Sequence, residues 1–140
     1  MITAVDTNVL IDVLTGDAHH GPRSADALRA AGAAGSLVAC EIVWAEVTSW
    51  YRDREAILDA LDVLGLRFDA MSPETAVAAG QAWAGYRAAG GPRERLAADF
   101  LVGAHAATQA DRLLTRDRGF YRRYFDALSI IVPSLEDSAR

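Results

Sequence analysis

Apolar residues in this chain come in short runs, and between them lie stretches with helical spacing. The first run, Ile2-Thr3-Ala4-Val5, stops abruptly at Asp6-Thr7-Asn8. A run this short is best satisfied as a strand buried inside a sheet. Val9, Leu10, Val13 and Leu14 then repeat at helical spacing as far as Gly16. A loop over 17–22, punctuated by Gly21-Pro22, precedes a helix from Arg23 to Ala33. Ser36 to Cys40 reads as a strand. Glu41 to Tyr51 reads as a helix, with Ile42, Val43, Trp44, Val47 and Trp50 on a wide apolar face. Arg54 to Leu64 is a further helix, and Leu66 to Ala70 a third strand. Ser72-Pro73 opens the next helix: Ser72 suits the cap and Pro73 the first helical position, while Thr75 leaves the capping box incomplete. That helix runs to Ala88 and ends at Gly90-Gly91-Pro92. Leu96 to Ala107 is a helix, Arg112 to Thr115 a strand, Asp117 to Phe125 a short helix, and Ser129 to Val132 a last strand stopped by Pro133. Short apolar strands alternating with helices predict an α/β fold with a mainly parallel sheet. No repeat or linker divides the chain, so a single domain is expected over 1–133, followed by a short polar tail over 134–140.

Composition narrows the function classes. The chain has 140 residues, 51% of them hydrophobic, which suits one well-filled core. A single cysteine, Cys40, excludes an internal disulfide framework and fits a cytoplasmic protein. Neither a signal-peptide pattern nor an apolar stretch of the ~18 residues needed to span a membrane is expected. The net charge of −5 argues against a nucleic-acid partner. Two features soften that argument. All 14 basic residues are Arg, whose planar fork suits phosphate, and Arg112, Arg116, Arg118, Arg122 and Arg123 cluster. The acidic excess could also belong to a metal site.

Parallel sheets bind ligands outside the carboxyl ends of their strands. Asp6 follows the first strand, Glu46 lies in the helix after the second, Asp99 begins the helix Leu96–Ala107, and Asp117 follows the strand ending at Thr115. If those strands are neighbours, four carboxylates share one rim. Carboxylates so crowded repel, and a hard divalent cation removes the conflict. Two such ions can activate a water and stabilise the leaving oxygen of a phosphodiester. Thr7, Asn8 and Thr115 are placed to orient the acids or hold waters.

Each acid has a plainer reading. Asp6 can end its strand in an Asx-turn, Glu46 can be a solvated helix residue, Asp99 can answer a helix dipole and Asp117 can be a helix cap. Joint placement is what favours the site. Glu41 reads as a helix-start acid, Asp12 and Asp111 as solvated or turn acids, and His105 as a hydrogen-bonded helix histidine. His19-His20 reads as a solvent-exposed loop pair, Cys40 as a buried small hydrophobe, and Trp44, Trp50, Tyr51 and Trp83 as core or interface residues. The clustered arginines are equally a solvated face or a set of phosphate contacts.

Four ordered segments carry a family resemblance. Asp6-Thr7-Asn8 with its apolar helix resembles the opening of PIN-domain nucleases. The second, third and fourth acidic segments of that family are resembled by Glu41–Val47, by Ala98–Ala106 and by Leu113–Phe120. The compact length further resembles the VapC-type toxins of toxin–antitoxin pairs. The resemblance implies a three-layer sandwich with a parallel central sheet flanked by helices. It implies magnesium-dependent cleavage of RNA, with manganese as a substitute. Asp6, Glu46, Asp99 and Asp117 would be the metal-binding and catalytic acids, supported by Thr7, Asn8 and Thr115. It also implies a homodimer and a small antitoxin that covers the cleft. Cys40 and Glu41 depart from the pattern by standing where small hydroxyls are expected.

Three functions follow. The first is an endoribonuclease whose flanking phosphates are held by Arg112, Arg116 and Arg118. A phospho-acceptor or phosphatase is the second, but such sites usually need a Lys, and the chain has none. The third is a non-catalytic module whose acidic cleft binds a basic partner segment.

Overall fold

The computed structural model describes residues 1–91 and 97–134. Pro92, Leu96 and most of the expected polar tail lie outside them. The chain runs β1 (Ile2–Val5), α1 (Thr7–Thr15), α2 (Gly21–Ala34), β2 (Ser36–Ala39), α3 (Glu41–Thr48), α4 (Arg54–Val63), β3 (Leu66–Phe68), α5 (Pro73–Ala88), α6 (Ala97–Gln109), β4 (Arg112–Leu114), α7 (Arg118–Tyr124) and β5 (Ile130–Ile131). The expected α/β class holds. Among the described residues all the strands pair in parallel in one five-stranded sheet of order β3-β2-β1-β4-β5. Parallel neighbours need a crossover, and helices supply each of them.

This order makes β1 the centre. The chain first builds outward through β2 to β3, then crosses back to add β4 and β5 on the other side of β1. The reversal falls between β1 and β4, which pair Thr3 with Arg112, Ala4 with Leu113 and Val5 with Leu114. The carboxyl ends of these two strands face the crevice that such a reversal opens. Thr3, Ala4, Val5, Leu113 and Leu114 are buried, as expected of strands covered on both faces.

Element ends differ from the sequence reading by a few residues, and the causes are local. Helix α1 starts at Thr7 rather than Val9 because Asp6, extended at φ −76° and ψ 154°, accepts the Thr7 amide as a cap. It stops where Gly16 takes the left-handed conformation (φ 64°), which frees its amide to close the last turn. Gly21-Pro22 is not a loop but the first turn of α2, where a proline costs no hydrogen bond. Ser72 caps α5 through the Thr75 amide, as its position predicted. Cys40 precedes α3 without giving it a side-chain cap. Helix α3 ends at Thr48, and Trp50 is 64% exposed rather than part of the core.

Packing behind α7 is aromatic. Phe100 on α6 contacts the rings of Tyr86, Phe120, Tyr124 and Phe125 at centroid distances of 5.2 to 6.5 Å. Gly103, one turn further along α6, lets the Phe125 ring lie where a Cβ would stand. These contacts seat α7 against α6. We expect Phe100→Ala to lower unfolding free energy by about 3–5 kcal/mol, as fully buried Phe truncations do. Denaturant titration of the two proteins measures it, and a cost below about 1 kcal/mol would show that the cluster does not anchor α7.

Candidate active site

Asp6 is the fixed point of the crevice. It stands at the β1 end, only 8% exposed, and its own amide continues the ladder by donating to Leu114 O at 2.9 Å. Its Oδ2 accepts from Thr115 Oγ1 (2.7 Å), Tyr121 Oη (3.2 Å) and Asn8 Nδ2 (3.4 Å). Its Oδ1 accepts the Thr7 amide at 2.8 Å. Burial pushes this carboxyl above its ordinary range, and the nearby Asp99 charge adds to the effect; the bonds from Thr115, Thr7 and Tyr121 pull the other way without cancelling it. Burial, then the charges of Asp6 and Asp99, hold the Tyr121 phenol far above its ordinary value, so Tyr121 remains a neutral donor.

Around Asp6 opens a cleft of about 520 Å³. Asp6, Glu46, Asp99 and Asp117 all line it, together with Thr7 and Asn8. Four acids from four separate segments are therefore brought to one place. Thr7, Asn8 and Thr115 each hydrogen-bond one of these acids. Thr7 Oγ1 donates to Glu46 Oε1 at 2.9 Å and so ties α1 to α3. Thr115 is buried; besides donating to Asp6, it accepts the Asp117 amide at 3.0 Å. Asn8 bonds both Asp6 and Thr115, and its Oδ1 accepts the Arg116 amide at 3.2 Å.

Arginines divide differently. Arg116 lines the cleft, but its guanidinium is forked onto Asp12, Nε to Oδ2 at 2.7 Å and Nη2 to Oδ1 at 3.1 Å. Arg112 lies at the amino end of β4, away from the cleft, where its Nε donates to Thr3 Oγ1 at 2.9 Å. Its place in the ladder fixes it there, opposite Thr3. Arg118, the exposed first residue of α7, does not line the cleft.

Sequence reasoning missed three contributors. Asp12 is buried rather than solvated, and Ser24 Oγ donates to its Oδ2 at 2.8 Å as a second partner. Its spacing of four from Asn8 was the available signal, since it puts both on one helix face. Tyr121 stands one turn beyond Asp117 by the same rule. Asp17 lines the rim; backbone amides of His20 and His19 hold its carboxyl below the usual range. Glu41 and His105 behave as read. Glu41 accepts the Met71 amide at 2.9 Å, and buried His105 bonds Asp69 at 2.8 Å.

The donor set of the cleft is all oxygen, which suits a hard cation. Among the described residues no three carboxylate, His or Cys side chains gather closely enough to enclose an ion by themselves. Magnesium retains several waters and commonly takes only one or two protein carboxylates, so the residues present fit it with water completing the shell. Glu46, held in place by Thr7, and Asp6, crowded by Asp99, could serve as such ligands.

The raised Asp6 pKa has a definite sign. Its folded value exceeds its unfolded one, so the folded state holds the proton more tightly and stability falls as pH rises between the two. Asp6→Asn removes that penalty. In chelator at neutral pH we expect the variant to melt above the parent, with the gap closing as pH falls through the raised value. Thermal melts of both proteins across that range test this, and a variant that melts lower at neutral pH would mean that the lost hydrogen bonds outweigh the buried charge.

The sequence matches the family model of the PIN domain over residues 3–126. No curated protein matches it in sequence. Among solved structures, it resembles VapBC2 from Rickettsia felis bound to a promoter DNA fragment, at a TM-score of 0.76 and 19% identity, over 96% of this chain and 100% of that one. DNA-bound VapBC from Salmonella typhimurium gives 0.72 and 17%, over 96% and 99%. A toxin–antitoxin complex from Klebsiella pneumoniae gives 0.66 and 20%, over 94% and 98%. At such identities the likeness speaks to the fold.

Proposed function

The chain belongs to the PIN-domain family, and from that premise we propose that it is a divalent-cation-dependent endoribonuclease, the toxin of a toxin–antitoxin pair. The observation that carries this reading is the convergence of Asp6, Glu46, Asp99 and Asp117 on one cleft. PIN domains are generally nucleases, and the solved structures of like fold include complexes named as VapBC and as toxin–antitoxin.

In this reading the four acids hold magnesium, for which manganese can substitute. Such a cation supplies activation of a water and neutralisation of the charge that develops on phosphate oxygens. The chain's own residues supply the placement. Thr115, Tyr121 and Asn8 fix the Asp6 carboxylate, and Thr7 fixes Glu46. Asp12 uses two of the five N–H groups of Arg116, which leaves the rest of its fork for a phosphate oxygen in the cleft. Arg118, at the start of α7, is placed for a flanking phosphate, whereas Arg112 is too far along β4 to take part. Single-stranded or looped RNA is the expected substrate, since its backbone can enter an open cleft. A homodimer, a small antitoxin that covers the acids and residence in the cytoplasm belong to the same proposal. Free, buried Cys40 accords with the last, and no helix among the described residues is long and apolar enough to cross a membrane.

A non-catalytic binding module is the second reading. The acidic lining of the cleft, which would receive a basic partner segment, favours it. Cleavage of a mixed RNA pool by antitoxin-free protein separates the two. We expect cutting with magnesium or manganese, none in chelator and none with Asp6→Asn. We expect Thr115→Val to cut about 10–100-fold more slowly, the usual loss when an outer-shell partner is removed. No cutting, together with no calorimetric binding of either metal, would move the reading to the binding module.

A further inference from the structure

Nearly every side chain that lines the acidic cleft is polar. Among the described residues the exceptions are Ile11 and Trp50. Trp50 is the anomaly, a large aromatic left 64% exposed at the mouth of a site built for charge. It follows Glu46 by four residues, and the chain keeps turning past the end of α3, with the Trp50 amide donating to Val47 O at 3.2 Å and the Tyr51 amide to Thr48 O at 3.2 Å. Trp50 therefore projects from the same side as Glu46, about one turn or ~6 Å further along the axis. Glu46 itself is pinned toward the acids by Thr7. The indole thus lines the same cleft as the carboxylates.

Its neighbours do not account for it. Trp44 packs edge-on against Phe68 at 5.6 Å and Trp83 lies under the Arg87 guanidinium at 4.9 Å, whereas Trp50 has neither kind of contact among the described residues. An indole face is a sequence-tolerant surface for an unpaired base, and stacking of this kind is a large part of single-strand binding.

We propose that Trp50 is a substrate-binding residue that stacks an unpaired RNA base beside the scissile phosphate. The inference rests on the nuclease reading and deepens it. It assigns the substrate to unpaired RNA, because a base held in a duplex cannot present its face to the indole. Trp50 touches no reacting atom; it sets which nucleotide is seated and how firmly.

Two measurements test it. In the first, initial rates on an unstructured single-stranded RNA pool are compared for the parent, Trp50→Phe, Trp50→Leu and Trp50→Ala. We expect Trp50→Phe to stay within a few-fold of the parent. Trp50→Leu and Trp50→Ala should raise KM roughly tenfold or more while kcat is retained. Trp50→Leu keeps apolar bulk without a ring, so parent-like behaviour there would overturn stacking. In the second, Asp6→Asn protein, with and without Trp50→Phe, is titrated with the same RNA while indole emission is followed. We expect quenching that depends on Trp50, and an equal signal from both proteins would overturn the proposal. Cutting by the parent with no effect of any Trp50 variant would reject the stacking role and leave the nuclease reading standing. Trp50-dependent quenching by RNA that the parent never cuts would reject the nuclease reading and leave the stacking role standing.

Discussion

The Asp6 carboxylate is bound from three segments at once. Its own helix gives it the Thr7 amide and the Asn8 side chain, the end of β4 gives it Thr115, and α7 gives it Tyr121. A charge this deep is costly to hold, and these donors offset only part of the cost. The same contacts join the centre of the sheet to the strand laid down on its far side. Stability and site are therefore not separable at this point. The group that starts α1 and closes the β1–β4 crevice is also the one that the cleft presents to a ligand.

Charge in the cleft is unbalanced, and one pair explains why it is not worse. Among the described lining residues Arg116 is the cationic side chain, and two of its N–H groups hold Asp12, which is buried and also bonded by Ser24. Beside that pair the cleft is lined by the carboxyl groups of Asp6, Glu46, Asp99 and Asp117. A polyanion entering among carboxylates gains from a counter-charge between them. The divalent cation in the proposed function would thus serve binding as well as chemistry, and the two cannot be tuned apart.

Much of this was legible in the sequence. Every strand and helix could be placed because the apolar runs are short and the helical spacing between them is clean. Asp6 and Asp117 follow strands and Glu46 lies in the helix behind one, whereas Asp99 lies in α6, which follows another helix, and was singled out by its place at that helix's start and by the resemblance of its segment. What escaped depended on tertiary facts. Asp12 looked like a surface acid until Arg116, 104 residues away in sequence, was found on it. Arg112 carries the right chemistry, but its register opposite Thr3 puts it at the wrong end of β4. Trp50 fits an apolar helix face by spacing, yet α3 stops before it and leaves it outside the core. Gly21-Pro22 reads equally as a turn or as a helix start, and only the chain beyond it decides which.

Strand order also has a consequence for synthesis. Asp6 is made well before its hydroxyl partners, which come 109 and 115 residues later. A growing chain can form β1, β2 and β3 and cap α1 with Asp6, while the place beside β1 that β4 will fill stays vacant. Until Thr115 and Tyr121 emerge, the carboxylate has no reason to become buried and Asp117 has no fixed position. The cleft is thus completed only when β4 and α7 join a sheet already begun around β1, so the acids gather late rather than early in the assembly of the fold.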